Sequence, residues 1–352
     1  MGVPLMAKVA VIGAGSWGTA ISLVLADNGH DVLLYGREED HVHEINTAHT
    51  NATYLKDAPL PTSIRATTDL AEAVKDRSIV FLVVPSSAIR PVSRELNALL
   101  TKPAVIVHAA KGIEPKTHKR LSEIIAEEID PSKRRAIGVL TGPTHAEEVA
   151  VRKLTTITIA CEDLDVADEI QELLTNDQFR VYLNSDVIGA EYGGALKNII
   201  ALAAGMTDGL GYGDNAKAAL MTRGIVEIAR LGVKLGANPA SFSGLTGIGD
   251  LIVTATSQHS RNWRAGNAIG RGEKLEDVLG QMGMVVEGVR ACEAAHTLAR
   301  EAGVEMPITE ALYNVLFEGK SPHDEVQKLM RRPQKHEMEE VFHFEGDVEQ
   351  RD

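Results

Sequence analysis

Cysteine is nearly absent from this chain of 352 residues: Cys161 and Cys292 are the only two. Two thiols so far apart in sequence make neither a disulfide framework nor a cysteine-rich metal site, and they point to a reducing cytosol. Basic residues are also in short supply, 36 against 49 acids, which leaves a formal charge of −13. So acidic a surface argues against nucleic acid or an anionic membrane as a partner, because both favour a basic face. No apolar run approaches the ~18 residues of a transmembrane helix. The first residues, Met1 to Lys8, lack the apolar core of a signal peptide. Metal-ligand spacing is missing too: His41-Val42-His43 and His296 stand without suitably placed acids or cysteines, so no metal is expected.

What is present is ordinary globular composition, 44% hydrophobic and 24% charged, at a length that suggests about two domains. The first half alternates in period. Short apolar runs at Ala7–Ile12, Asp31–Tyr35, Ile79–Val84, Ala104–His108, Ala136–Leu140, Thr155–Ala160 and Arg180–Leu183 read as strands. Helical stretches such as Thr19–Asn28, Ser93–Leu100 and Lys116–Glu128 separate several of them. Strands this apolar are buried on both faces, which predicts an α/β, Rossmann-type doubly wound and mainly parallel sheet. After Asn184-Ser185-Asp186 only helical spacing remains, for example Met221, Ile225, Ile228, Gly232 and Leu235, closed by Gly236. The reading is therefore a dinucleotide-binding domain over 1–188, an all-α substrate domain over 189–333 and an acidic tail over 334–352, expected to be disordered and given no role.

Gly13-Ala14-Gly15-Ser16-Trp17-Gly18 follows the first strand and opens the first helix. In that context Gly13 permits a tight turn, Gly15 lets a pyrophosphate approach the backbone, and Gly18 allows close packing of helix on strand. A tight turn without ligand is the competing reading. An NAD-selective site usually has an acid at the end of the second strand. Here Tyr35-Gly36-Arg37 stands there, and Arg37 suits adenine stacking and a 2′-phosphate, unless it is simply a solvated charge. NADPH is thus expected to be accepted at least as well as NADH.

Chemistry in such a fold lies beyond the carboxyl ends of the strands. Lys111 follows the Ala104–His108 strand, and Gly142 and Thr144 follow Ala136–Leu140. A surface lysine and a helix-capping threonine are the plain alternatives. On a helix, Ala190, Gly193, Gly194, Lys197, Ala201 and Ala204 share one face of small residues with one cation. In a partly desolvated cleft Lys197 is a candidate general acid; snorkelling to water is the alternative. Asp250 ends a glycine-rich stretch, and Ser260-Arg261-Asn262 follows ten residues on. Hydroxyl, guanidinium and amide in succession suit a phosphate monoester and supply the local cation that an acidic chain needs for an anionic ligand. Capping by Ser260 and by Asp250 stays open.

Taken in order, the glycine turn, Ala110-Lys111-Gly112-Ile113, Gly142-Pro143-Thr144, Ala195-Leu196-Lys197-Asn198, Gly247-Ile248-Gly249-Asp250-Leu251, Ser260-Arg261-Asn262 and Val286-Glu287-Gly288 resemble the bacterial NAD(P)-dependent glycerol-3-phosphate dehydrogenase family. The resemblance runs from about Lys8 to Pro322. It implies reversible reduction of dihydroxyacetone phosphate to sn-glycerol 3-phosphate for phospholipid synthesis, with NADPH or NADH. It makes Lys197 the proton donor or acceptor, and puts Lys111, Gly142, Thr144, Lys197, Asp250, Ser260, Arg261 and Asn262 on the substrate. Ser16, Trp17, Arg37, Lys111, Ala146, Arg261, Val285 and Glu287 would contact the dinucleotide. His145 stands where the family more often has an aromatic residue, Ala255–His259 departs from its usual Cys-Thr sequence, and Ala291 replaces a commoner threonine. The remaining alternatives are a related dehydrogenase of hydroxy or keto acids and a dinucleotide sensor without turnover. A homodimer is expected by analogy with other helical second domains.

Overall fold

The computed structural model describes residues 6–334 apart from Asp57 and Met284. The acidic stretch from Lys335 to Asp352 lies outside the described residues. Eight strands form one sheet: β1 Lys8–Ile12, β2 Asp31–Tyr35, β3 Arg65–Thr67, β4 Ile79–Leu82, β5 Ala104–His108, β6 Arg134–Thr141, β7 Thr155–Cys161 and β8 Phe179–Asn184. Their order is β3-β2-β1-β4-β5-β6-β7-β8. All neighbours are parallel except β6 and β7, which pair antiparallel from Gly138 opposite Cys161 to Thr141 opposite Thr158. Val9 to Ile12, Val80 to Leu82 and Val105 to Val107 are fully buried, as a sheet covered on both faces requires. The chain turns outward from β1 to β2 and then crosses to β4 on the other side. The crevice between the ends of β1 and β4 is therefore the switch point at which such sheets bind ligands.

Two local expectations need correction. Helix was expected from Lys116, but it begins at Leu121. Lys116 and His118 have φ of 75° and 54°, and Ile113 bridges Arg120, so the preceding residues form a tight loop. β3 was not foreseen because three residues, Arg65 exposed and Ala66 and Thr67 both buried, are too few to carry a readable alternation.

Past β8 the described residues contain no strand. Asp186 starts the helix Val187–Gly209 by accepting from the Gly189 N–H at 2.9 Å, while its other oxygen accepts from Asn238 N–H and the Ser241 hydroxyl. This helix was expected to show one face of small residues. Instead nearly every residue from Val187 to Thr207 is buried, because other elements surround it and the small residues meet different neighbours. A Cβ on Gly193 would lie 2.9 Å from the Thr246 carbonyl oxygen, and one on Gly194 3.1 Å from the Thr141 hydroxyl. Further along, the helix crosses Arg261–Gly270 almost backbone to backbone: a Cβ on Gly205 would lie 2.0 Å from the Trp263 carbonyl oxygen.

That contact gives a test of the packing. Gly205→Ala forces the two helices apart and is expected to cost about 1–3 kcal/mol. Gly280→Ala, whose Cβ would meet nothing within 4 Å, is expected to be neutral or to stabilise by up to ~1 kcal/mol. Urea midpoints of the two variants check the contrast.

Candidate active site

The glycine turn is built by steric exclusion. Gly13 has φ of 120°, its N–H donates to the Tyr35 carbonyl at 2.9 Å, and a Cβ there would lie 2.3 Å from the Val83 carbonyl oxygen. A Cβ on Gly18 would lie 1.8 Å from the Gly13 oxygen. Gly15 is different: its Cβ would meet nothing within 4 Å. The helix Ser16–Asp27 that follows has no side-chain cap, which leaves its first N–H groups and positive dipole end for an anion. A dinucleotide diphosphate fits this arrangement of open space and uncapped donors. Ser16 donates its hydroxyl to the Tyr54 carbonyl at 2.9 Å, and buried Asn51 donates to the Ala14 carbonyl at 3.0 Å and to Thr19 at 2.8 Å. Trp17 and Ala146 are half-buried against the same core. Arg37, just past β2, is 80% exposed, with Glu38 as its ion-pair partner at 3.7 Å.

Beyond β5 and β6 the sheet meets the helical half. Lys111 Nζ donates to the Gly142 carbonyl at 3.0 Å and to Asp250 Oδ2 at 2.8 Å. Lys197, 4% exposed, donates to the other oxygen of Asp250, which is itself 1% exposed. The Thr254 hydroxyl accepts from Lys197 and donates to the Asp250 carbonyl at 2.6 Å. A third, longer contact joins Lys197 Nζ to the Asp250 carbonyl at 3.4 Å. A single π-helical turn, Leu245–Gly249, delivers Asp250 to this point at the start of the helix Asp250–Thr256. Burial pushes the Lys197 ammonium down to about 7; Asp250 opposes that fall and the Lys111 charge adds to it. The site thus holds a titratable amine, a second cation and one shared carboxylate.

The remaining expected residues lie beside this centre. Ser260 caps the helix Arg261–Gly270 by accepting from the Trp263 N–H at 3.3 Å, so its foreseen capping role is realised. Arg261 is exposed and donates to the Val285 carbonyl at 3.3 Å. The Asn262 amide bonds within the protein, donating to Asn198 at 2.8 Å and accepting from the Gly288 N–H at 2.8 Å. It thereby fixes the neighbour of Lys197 against the start of the helix Glu287–Ala302. Glu287 accepts from the Ser86 hydroxyl at 2.9 Å, tying that helix to the loop after β4. Thr144 donates to the Gly142 carbonyl at 3.2 Å, and His145 rather than Thr144 stands at the start of the helix Ala146–Ala150. The His145 ring meets the His259 ring edge to face, 6.1 Å between centroids, so the loop after β6 touches the segment before Ser260. Burial lowers the His145 pKa against the opposing charges of Glu147 and Glu148, and charge from His259 and Lys197 adds to the fall.

Lys111, Gly142, Lys197 and Asp250 are brought together directly; Asn262 joins through Asn198, and Arg37 stands apart, exposed just past the end of β2. Sequence reasoning missed Thr254, Asn51 and Ser86. Thr254 sits four residues after Asp250, a helical spacing that places both on one face and was a usable signal. Asn51 and Ser86 lie in irregular segments whose partners are long-range, and nothing local marks them.

The comparisons with known proteins agree with this geometry. The family model described as NAD-dependent glycerol-3-phosphate dehydrogenase N-terminus matches residues 8–167, and the corresponding C-terminus model matches 186–327. An NAD(P)+ glycerol-3-phosphate dehydrogenase of Exiguobacterium sp. strain AT1b is 91% identical over 340 residues, covering 97% of this chain and all of that protein. Its counterpart in Halalkalibacterium halodurans is 58% identical, covering 97% of this chain and 99% of that protein. The crystal structure of glycerol-3-phosphate dehydrogenase from Coxiella burnetii superposes with a TM-score of 0.87 at 37% identity, over 94% of this chain and all of that one. A ketopantoate reductase from Ralstonia eutropha JMP134, 17% identical with a TM-score of 0.58 over 92% of this chain and all of that one, shares the fold alone. Two models spanning most of the chain, and relatives this similar over nearly its whole length, place the chain in the NAD-dependent glycerol-3-phosphate dehydrogenase family.

Proposed function

We propose that this protein reduces dihydroxyacetone phosphate to sn-glycerol 3-phosphate with NADPH or NADH, reversibly, and so supplies the phospholipid backbone. The observation that carries the reading is the convergence of Lys111 and Lys197 on the two oxygens of Asp250, between the sheet's carboxyl edge and the helical half. Residues 1–188 serve as the dinucleotide-binding unit and 189–333 as the substrate unit. Gly13, Gly15, Gly18 and the uncapped helix start hold the diphosphate, with Ser16, Trp17, Arg37, Ala146, Val285 and Glu287 along the rest of the cofactor. The bound dinucleotide supplies the hydride.

The chain's own residues supply position, charge and a proton. Reduction adds a hydride to the ketone carbon and a proton to its oxygen. The Lys197 ammonium gives that proton, and the substrate oxygen takes the place of its longest contact, the 3.4 Å approach to the Asp250 carbonyl. Lys111 adds positive charge beside the developing alkoxide, a kind of stabilisation commonly worth ~3–4 kcal/mol per donor. Asp250 keeps both amines aimed at one point. Arg261 receives the phosphate ester together with Ser260, Asn262, Gly142 and Thr144; a guanidinium fork matches its oxygens. In the reverse direction neutral Lys197 accepts the proton of the secondary alcohol.

A homodimer in the cytosol completes the proposal. Both cysteines are free and buried, which suits a reducing compartment. Among the described residues no helix is long and apolar enough to cross a membrane. Light scattering at working concentration reads the oligomeric state.

The deciding assay follows reduced nicotinamide absorbance on adding dihydroxyacetone phosphate, ketopantoate or simple keto acids. Turnover confined to the triose phosphate is expected; turnover of a keto acid alone would move the enzyme to another dehydrogenase class, and silence with all of them would leave a sensor. Lys197→Ala should lower turnover by roughly 10²–10⁴-fold with cofactor affinity nearly unchanged in a fluorescence titration. Because burial brings the amine down to about 7, ketone reduction, which needs the ammonium, should fall as pH rises through that value. Glycerol phosphate oxidation, which needs the neutral amine, should rise through it. Arg37→Ala should weaken NADPH binding more than NADH binding, about 10-fold in the ratio; an equal loss for both would remove the 2′-phosphate contact.

A further inference from the structure

Glu191 is a carboxylate in the interior, 3% exposed, six residues before Lys197 on the same helix. Burial alone would neutralise it, yet hydrogen bonding and charge from His108, with Arg120 and Ser122, hold its pKa below the ordinary glutamate value. It accepts from His108 Nε2 at 3.1 Å, Arg120 Nη1 at 2.7 Å and the Ser122 N–H at 2.7 Å, and from the Ser122 hydroxyl.

These donors have a particular place in the chain. His108 ends β5, and Arg120 immediately precedes the helix Leu121–Glu128. Between them runs the loop that carries Lys111. The far part of that loop is closed on itself by the Ile113–Arg120 bridge and by Glu114 N–H to the Lys119 carbonyl at 3.0 Å. One acid on the lysine-bearing helix therefore grips both feet of the loop that presents the second lysine. A buried ion cluster of this kind is a poor source of stability compared with apolar packing, whereas it fixes directions that apolar contacts leave loose.

We propose that Glu191 is a positioning residue for the reaction: by clamping His108 and Arg120 it holds the Lys111 loop at the distance from Lys197 that lets both amines share Asp250. The proposal rests on the site reading above. Glu191 touches neither substrate nor cofactor in this scheme, and its effect passes through Lys111.

The test is a double-mutant cycle in the full-length enzyme. Glu191→Gln keeps the size of the side chain but removes the charge and one acceptor, and is expected to lower kcat on the order of 10²-fold, the scale of a misplacement near 1 Å. NADH affinity should not change. In a Lys111→Met background, itself impaired, the same change should cost no more than about 2-fold, because the positioned group is already gone. With Lys111 held less firmly its charge presses less on Lys197, so the inflection of the reduction rate in Glu191→Gln should move to higher pH. A merely structural loss would multiply with Lys111→Met and leave the inflection in place; either result overturns the proposal, as does a Glu191→Gln enzyme with wild-type kcat. Should Glu191→Gln fail to fold, Arg120→Met removes one donor at the rim and runs the same cycle. Full activity in Lys111→Met alone would overturn the site reading itself, and the proposal with it.

Discussion

Everything in the site depends on one carboxylate serving two ammonium groups. Asp250 lies almost wholly out of water, as does Lys197, while Lys111 keeps 23% of its side chain exposed. Leaving one charge of a buried pair without its partner typically costs ~3–5 kcal/mol, so the trio is held together by mutual need. With Lys197 in its ammonium form, two cations against one anion leave a positive surplus. In a chain of net −13 this reverses the sign locally, and the geometry does it by bringing three separate stretches of backbone to one carboxyl group: the loop after β5, the middle of the helix Val187–Gly209 and the start of Asp250–Thr256.

Shared partners recur elsewhere, once between the two halves of the molecule and once between helices of the second half. Glu287 reaches Ser86 across the chain, and the Asn262 amide joins Asn198 to Gly288 with both ends of its polar group engaged. These contacts use side chains that the sequence presents as ligand candidates. Asn262 and Ser260 show that a residue of a type suited to a ligand can instead be engaged in holding the protein's own elements together; a ligand bound beside such residues would meet directions already set, with less ordering left to pay for on binding.

The sheet was legible in the sequence because strands buried on both faces are written as uninterrupted apolar runs, and the glycine turn because its context, strand before and helix after, is local. Lys111, Lys197 and Asp250 were legible as candidates by residue type and place, but their meeting was not: they are far apart in the chain, and no periodicity connects them. Where reading failed, a non-local cause can be named. β3 is three residues long and is defined by its pairing with β2. The residues from Lys116 to Arg120 carry helix-forming side chains but are bent into a loop by the bridge to Ile113. The single small-residue face assigned to Val187–Gly209 assumed a surface helix, whereas the helix runs through the middle of its neighbours.

That central placement has an evolutionary corollary. A helix with no solvent-facing side has almost no sites at which drift is cheap: a methyl group added at Gly193 or Gly205 meets main chain. Its amine is therefore set in a part of the molecule that resists remodelling. On the proposed reading, any change of substrate in a descendant of this protein would have to be written in the rim segments, the turn after β6 and the stretch leading to Arg261, while the core around Lys197 stays as it is.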